Sequence, residues 1–537
     1  MNSTENVTFT AQWKEVGVAT LIDGPTLNTK LRVLSGDETP FSDGNKTIQS
    51  IQQSVTTPSA NVMQDSNSLI SANGSDKPIY AWFEDEDGII KWWSETSYIE
   101  AGNSLADAFS GMDSLTDISG LKNLNTSNVT DMSNLFSGNQ STLSDITPLS
   151  GWDVSNVTNM GWMFSDCCAL SNINPLTDWN TKNVTNMEGM FCGCSFQDLT
   201  PLANWSTDNV TSINYMFRDC TELTDLTPLT NWNTDHVTDI GYAFSECTNL
   251  RDLTPLENWN TDLVTDMHAT FSGWETLTDL TPLTNWNTSK VKDMDCTFAG
   301  CSSLTNLTGL EKWDTGNVED MYGMFSHCSK LADLTALTNW NTANVTTMGT
   351  TFQGCPITNL TPLANWDTSH LTAMRSTFHE CSFLNDITAL ASWNTSNVTD
   401  MQGTFGSCKS LIDLSPLANW NTSKVTKMGS MFGGCDNLIA ASLTNWDTSN
   451  VTDMGSMFSR CTSLTKLTGL QNWDTGNVTN MYCMFFGCAS LNDASAINDW
   501  HITKVKNFRR MFENCPSHPE FTKRTGTWDN GTFTPTN

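Results

Sequence analysis

The sequence predicts a repeat solenoid of about 16 stacked turns, and two aromatic columns predict it. Trp recurs at 152, 179, 205, 232, 259, 286, 313, 340, 366, 393, 420, 446, 473 and 500, always 26 or 27 residues apart. Leu124 takes that place one turn earlier. Twelve residues after each stands a Phe: Phe136, Phe164, Phe191, Phe217, Phe244 and onward to Phe512, without exception in 15 turns. Phe109 marks a degenerate sixteenth turn at the start.

The full unit reads C-x-x-L-x-x-L-x-x-L-x-x-W-x-x-x-x-V-x-x-M-x-x-x-F-x-x-C. One copy runs from Cys220 through Leu223, Leu226, Leu229, Trp232, Val237, Ile240 and Phe244 to Cys247. So few apolar residues cannot bury themselves alone, but stacked copies share one continuous core. The expected class is leucine-rich-repeat-like. Each turn should hold a short parallel β-strand near V-T-x-M, as at Val237 to Ile240, and a short helical turn that sets Met and Phe on one side. The Leu triplet spaced by three predicts a tight 3₁₀-like or extended edge.

The ends differ from the middle. Residues 1–13 read as the end of a preceding β repeat domain. Residues 14–100 are aperiodic and read as a small mixed α/β N-terminal cap, with a hairpin IYAWF-EDEDG-IIKWW around its D-G turn. The solenoid spans 101–515, and 516–537 form a C-terminal cap or tail.

Composition narrows the function classes. Hydrophobic residues make up 38% and charged residues 16%, which argues against disorder for the bulk. The formal charge of -32, from 58 acidic and 26 basic residues, disfavours nucleic acid and anionic membrane as partners. No apolar run is long enough to span a membrane. The start, MNSTENVTFTAQW, lacks the basic and apolar regions of a signal peptide, and GTWDNGTFTPTN at the other end shows no anchoring tail. The chain is expected to be either cytosolic or a fragment of a longer precursor.

Segments such as WNTSNVTDMQGTFGSCKSL (393–411) and WDTSNVTDMGSMFSRCTSL (446–464) resemble the BspA-type leucine-rich-repeat surface proteins of bacteria. VTFTAQWKE (7–15) is similar to the end of the Listeria–Bacteroides type repeats that accompany them, and the DLTPLANW phrasing is similar to internalin repeats. The resemblance covers nearly the whole chain. It implies an extracellular, surface-displayed protein, a monomeric rod that adheres to a protein or glycan on a host cell, matrix or neighbouring bacterium. It brings no catalytic residues.

Other columns were weighed for chemistry. Thirteen of the 17 Cys share one column, including Cys194, Cys220 and Cys247, and read as a reduced ladder of small buried side chains. The off-column Cys168, Cys192, Cys296 and Cys483 are the better disulfide candidates. The seven His form no metal motif. An acidic column precedes the second Leu, among them Asp145, Asp198, Asp252 and Asp333. A row of weak Ca²⁺ sites is one reading of it. Asn172, Asn306 and Asn359 replace Asp there, which argues instead for side chains that accept loop N–H groups, so no cofactor is expected. Two Thr columns read as β-propensity and cross-turn hydroxyl bonds, with ice binding as a minor alternative. The Asn four after the Trp reads as a backbone-satisfying ladder.

One window does not repeat. The two positions after the Met hold Trp162, Tyr215, Tyr242, His268, Tyr322, Arg375, Tyr482, Arg509 and Arg510. Tyr, Trp and Arg are the residues enriched at binding hot spots. The expected function is non-catalytic adhesion or recognition through this face. The alternative is a rigid spacer that presents another domain. Trp179, Trp205 and Trp232 belong with the Phe and Cys columns to stacking alone.

Overall fold

The computed structural model describes residues 17–37, 44–139 and 142–536. The expected tail of a preceding β domain, residues 1–13, lies outside them. The chain divides into two compact units, residues 1–184 and 185–537.

The first unit opens with β1 (Ala19–Thr20), α1 (Gly24–Leu34), β2 (Ser50–Gln53), α2 (Ala60–Gln64), β3 (Ile79–Glu84), β4 (Ile89–Ser94) and β5 (Ile99–Glu100). The Asp23 side chain caps α1 by accepting the Thr26 N–H, and a Pro occupies its first turn, where no N–H is needed. β3 and β4 pair antiparallel around Asp87–Gly88, β2 joins β4 in parallel, and β1 pairs with β5. Strand alternation buries Ile79, Ala81, Ile90 and Trp92 against Leu27 and Leu31 of α1. Ser50 bridges Asp117, and Glu100 bridges Asn125, in parallel. The cap thus supplies the rung on which the first turns stack, and cap and first turns form one unit. Arg32 is buried beneath them, donating to Ser110 O (3.1 Å), Gly111 O (2.9 Å) and Asp37 Oδ2 (3.2 Å).

The second unit is the solenoid in its most regular form. The residue two after each Val makes one parallel bridge to the next turn, in the order Asn186, Ser212, Asp239, Asp266, Asp293, Asp320, Thr347, Ala373, Asp400, Lys427, Asp453, Asn480 and Asn507. The expected strand is therefore cut to a single residue. The backbone then folds into tight turns. Ala243 N–H donates to Ile240 O (3.1 Å) and Cys247 N–H to Phe244 O (3.3 Å). Their third residues, Tyr242 and Glu246, have φ of 53° and 60°. A residue of that hand cannot continue an α-helix, so the helical turn expected between Met and Phe is replaced by turns of the kind that require φ > 0. This arrangement aims alternate N–H groups along the stack: Ile240 to Asp266 O, Tyr242 to His268 O, Phe244 to Thr270 O and Glu246 to Ser272 O. Glycines at the two left-handed places, such as Gly189 and Gly193, were the signal in the sequence.

The helical element lies elsewhere. Thr200–Leu202, Thr227–Leu229 and Thr361–Leu363 are single 3₁₀ turns on the Leu-triplet edge, each with Pro where its fixed φ fits. Inside, Phe rings stack turn on turn, as Phe217 on Phe244 (5.7 Å between centroids) and Phe298 on Phe325 (5.9 Å). The column Trp are buried, with the indole N–H on a Leu carbonyl of the preceding turn, as Trp232 on Leu202 O (3.1 Å) and Trp259 on Leu229 O (3.2 Å). A hairpin of β6 (Gly526–Asp529) and β7 (Thr532–Pro535) packs Trp528 and Phe533 on Phe512 and Phe508 of the last turn.

Candidate functional site

Most columns are consumed by the stack. Column thiols donate to the Phe carbonyl of the preceding turn, as Cys220 to Phe191 O (3.2 Å) and Cys247 to Phe217 O (3.0 Å). At two of the three places where Cys is missing the replacement makes the same bond, Trp274 Nε1 to Phe244 O (2.8 Å) and Asn139 Nδ2 to Phe109 O (3.1 Å), while Met112 of the first turn brings no donor. The column therefore selects a buried donor rather than a sulfur. Burial also holds the thiols protonated, pushing Cys328 and Cys381 up to about 12.

The off-column cysteines correct an expectation. Cys168, Cys192, Cys296 and Cys483 all stand as thiols outside any disulfide. Stacking brings equivalent places together, and no second Cys stands in the equivalent place of an adjacent turn to any of the four.

The loop Asp column accepts backbone hydrogen bonds, as Asp198 Oδ1 from Thr200 N–H (2.7 Å), and Asn172 and Asn359 do the same for Asn174 and Thr361. The Thr200 hydroxyl and N–H hold Asp198 below the usual carboxylate range. Both Thr columns donate to carbonyls of neighbouring turns, as Thr238 to Thr211 O (3.2 Å) and Thr234 to Asn260 O (3.0 Å). The Asn column does likewise, as Asn317 to Ser289 O (2.7 Å). Among the described residues no group of three or more His, Cys, Asp or Glu is gathered to hold a metal. Among them also no helix is long and apolar enough to cross a membrane.

The window is left for other work, and it holds two columns. Trp162, Tyr215, Tyr242 and Arg510 occupy the left-handed place; His268, Tyr322, Arg375, Tyr482 and Arg509 stand one residue before it. In the second unit, Tyr215 stacks on Tyr242 (4.3 Å) and Tyr242 on His268 (4.5 Å). Tyr242 Oη lies 2.7 Å from His268 Nε2, which is 3.5 Å from Asp295 Oδ2. The Arg218 guanidinium lies about equally far from both tyrosine rings, at 5.5 and 5.4 Å. Burial, then the neighbouring Tyr215, pushes the Tyr242 phenol up to about 12. Burial likewise raises Asp239, Asp266, Asp295 and Asp320 beside this ladder. The result is a half-buried three-ring plate rimmed by carboxylates and one Arg.

Further along the same unit the window holds Gly403, Gly429, Ser430, Gly455 and Ser456. Their small side chains leave a trough of about 340 Å³, with Arg375 and His379 at one end and Asp453, Asn480 and Tyr482 at the other. The four steps from the rung of Arg375 to that of Tyr482 span about 19 Å at ~4.8 Å per step. A second depression of about 500 Å³, shared with His379, Ser430 and Ser456, adds Lys409 and Arg460.

Tyr322 joins neither group. Its ring lies across Gly349 of the next turn, where any Cβ would strike it, and it is 40% exposed. Trp162 is half-buried in the first unit, and Arg509 lines a cleft on the last turn. Arg218, Asp295 and His379 were missed in the sequence. Arg218 and His379 stand after the Phe, outside the variable window, and Asp295 is one more Asp in an Asp-rich chain.

Six overlapping stretches, residues 103–226, 165–286, 222–333, 293–413, 349–466 and 434–536, match the family described as "Mycoplasma protein of unknown function, DUF285". The chain belongs to this family. The DUF285 matches begin after β5, so the cap strands precede them, and they take in both the ring plate and the trough. A crystal structure of a leucine-rich repeat protein from Bacteroides ovatus ATCC 8483 aligns at 14% identity over 77% of this chain and 79% of that one, with a TM-score of 0.28. No curated protein matches.

Proposed function

We propose that this DUF285 chain is a non-catalytic recognition module of the BspA-like, surface-displayed kind, which binds a protein or glycan partner through the window face of the second unit. The observation that carries this reading is the plate of Tyr215, Tyr242 and His268. Its rings sit in columns that the stack does not use, since Gly189 and Ala269 hold the place of Tyr215 and Tyr242 in neighbouring turns. Flat aromatic area ordered before binding loses little entropy on contact. The rim of carboxylates and Arg218 supplies orientation.

The spacer reading has its own support in the continuous series of inter-turn hydrogen bonds through the second unit. Replacing Tyr215, Tyr242 and Tyr322 together by Ala separates the two. Recognition predicts at least a tenfold loss of attachment to host cells or matrix proteins at unchanged melting temperature. Unchanged attachment leaves only the spacer.

A further inference from the structure

The last turn differs from every turn before it. In a regular rung, one C=O and one N–H face the next turn: Met454 N–H donates to Asn480 O, and Thr452 O accepts from Thr479 N–H. In the last rung, Lys506 N–H and Asn507 O satisfy the turn behind them, at 2.9 Å each. The forward-facing groups are Lys506 C=O and Phe508 N–H, and among the described residues neither has a partner. The terminal hairpin covers only the second half of this edge, through Thr532 Oγ1 on Arg510 N–H (2.9 Å) and Gly531 O on Phe512 N–H (2.8 Å). Between the uncovered half and β7 lies a cleft of about 920 Å³.

The charge of this cleft opposes that of the chain. Residues 501–525 carry six Lys and Arg against two Glu, in a protein of net charge -32. Arg510 is spent on Glu513 at 2.7 Å. Lys506 and Arg509 are exposed in the cleft lining, as is Lys504, whose ammonium also donates to Asn477 Oδ1 of the turn behind (2.6 Å). Arg524 is half-buried there, its Nη1 fixed on Ile502 O and Val505 O at 3.0 Å each, with its guanidinium 5.9 Å from the Phe508 ring. Lysines on a sheet edge repel another basic edge. The same lysines beside an unfilled donor and acceptor select a strand of opposite charge.

We propose that this edge is a docking site for an extended acidic peptide segment of a partner protein, which adds to the ladder as one more rung. The segment gives one N–H to Lys506 C=O and takes the Phe508 N–H on a carbonyl, while its carboxylates meet Lys504, Lys506, Arg509 and Arg524. A polyanionic glycan would use the charges and leave both backbone groups unfilled, so the peptide is the better fit. The proposal does not rest on the ring plate and survives its loss.

The test uses the full chain and a fluorescein-labelled octapeptide of alternating Asp and Thr. Binding should be saturable, and the K506E/R509E double variant should lose at least tenfold in affinity. Methylating alternate backbone nitrogens of the peptide at constant charge should lose a similar factor. If the double variant melts early, K504E/R509E serves in its place. Equal affinity for the methylated peptide, or displacement by heparin without any such backbone dependence, would show a bare polyanion site and overturn the proposal. Undiminished binding by the charge-reversed chain would overturn it too.

Discussion

Residues 185–369 and 370–525 of the second unit are built on one backbone plan, but the first is strongly acidic and the second balanced in charge. The first stretch has six Lys and Arg against 23 Asp and Glu; the second has twelve of each. In the first, the bridge column runs Asp239, Asp266, Asp293, Asp320, and the window beside it is filled by stacked rings. In the second, Ala373 and Lys427 enter the bridge column, and Gly and Ser open the window into a trough. Phe stacking, indole N–H bonds and inter-turn bonds are alike in both. Surface charge can thus change along this fold while the stack stays the same, because the rings, indole N–H groups and backbone amides common to both stretches carry no charge.

The comparison breaks if the two stretches do not share one core. Phe298 and Phe432 are both fully buried, each stacked on Phe neighbours at 5.6 to 5.9 Å. Replacing either by Ala should cost about 3–5 kcal/mol, the usual loss for a buried ring. The two costs should agree despite the difference in surface charge. Urea denaturation of the two variants, compared by midpoint, checks this. A gap well beyond 1 kcal/mol would mean that local surface charge reaches into the stack.

The donor column offers a smaller and more specific test. Cys328 and Cys408 donate to Phe298 O (3.2 Å) and Phe378 O (3.1 Å). Ala at either place removes one of the two donors of that carbonyl, since Cys301 N–H and Cys381 N–H still donate to Phe298 O and Phe378 O (3.2 Å each), at about 0.5–1.5 kcal/mol for the lost bond. Ser keeps a donor and should cost less than Ala in both stretches. If Ser and Ala are equally poor, the column is about volume, and the replacement of Cys by Asn139 and Trp274 needs another cause. Native-state thiol titration should leave the buried column thiols unreactive, since burial raises them, while denaturant should release all 17. Cys515 of the last turn, half-buried and lowered by its Cys488 neighbour, is the exception.

The period, the Phe and Trp columns and the 3₁₀ edge were legible because each is a matter of which residue types recur at a fixed spacing. The turn between Met and Phe was not. Met160 and Phe164 are four apart, which suits a helix, and only the scatter of glycines among Tyr, Ser and Asp at the left-handed places argued otherwise. The cysteine donors were hidden because a thiol reads first as a small apolar group. The candidate site was half legible. Variability picked out Tyr215, Tyr242, His268, Arg375 and Tyr482, but which of them meet depends on rotamers across adjacent turns. The trough could not be read from its own residues, since it is made by side chains that are small. The last-turn cleft depends on where the hairpin folds back, which no repeat specifies.

The finest contrast between the two stretches is their response to acid. Asp239, Asp266 and Asp320 have folded pKa values raised by burial above the ordinary 3.8. The folded chain then keeps protons that the unfolded chain releases. Their effect favours folding below 3.8 and is lost as pH rises through the raised values. What sets the first stretch apart is these raised carboxylates, because both stretches also carry carboxylates lowered by hydroxyl and N–H donors, Asp198 and Asp333 in the first and Asp386, Asp447 and Asp493 in the second. Their contribution is present above 3.8 and is lost as pH falls through the lowered values. Changing Asp239, Asp266 and Asp320 together to Asn keeps the acceptor for the N–H two residues on, as Asn480 already does for Tyr482. At pH 7 the variant should gain a few tenths of a kcal/mol per site, since solvent screens half-exposed charges. Its urea midpoint should then change less as pH rises from 3.8 to 7 than that of the native chain. The same midpoint difference in both proteins would show that the bridge carboxylates are solvated well enough to coexist. The acidity of the first stretch would then cost the fold nothing, leaving partner choice as its remaining consequence.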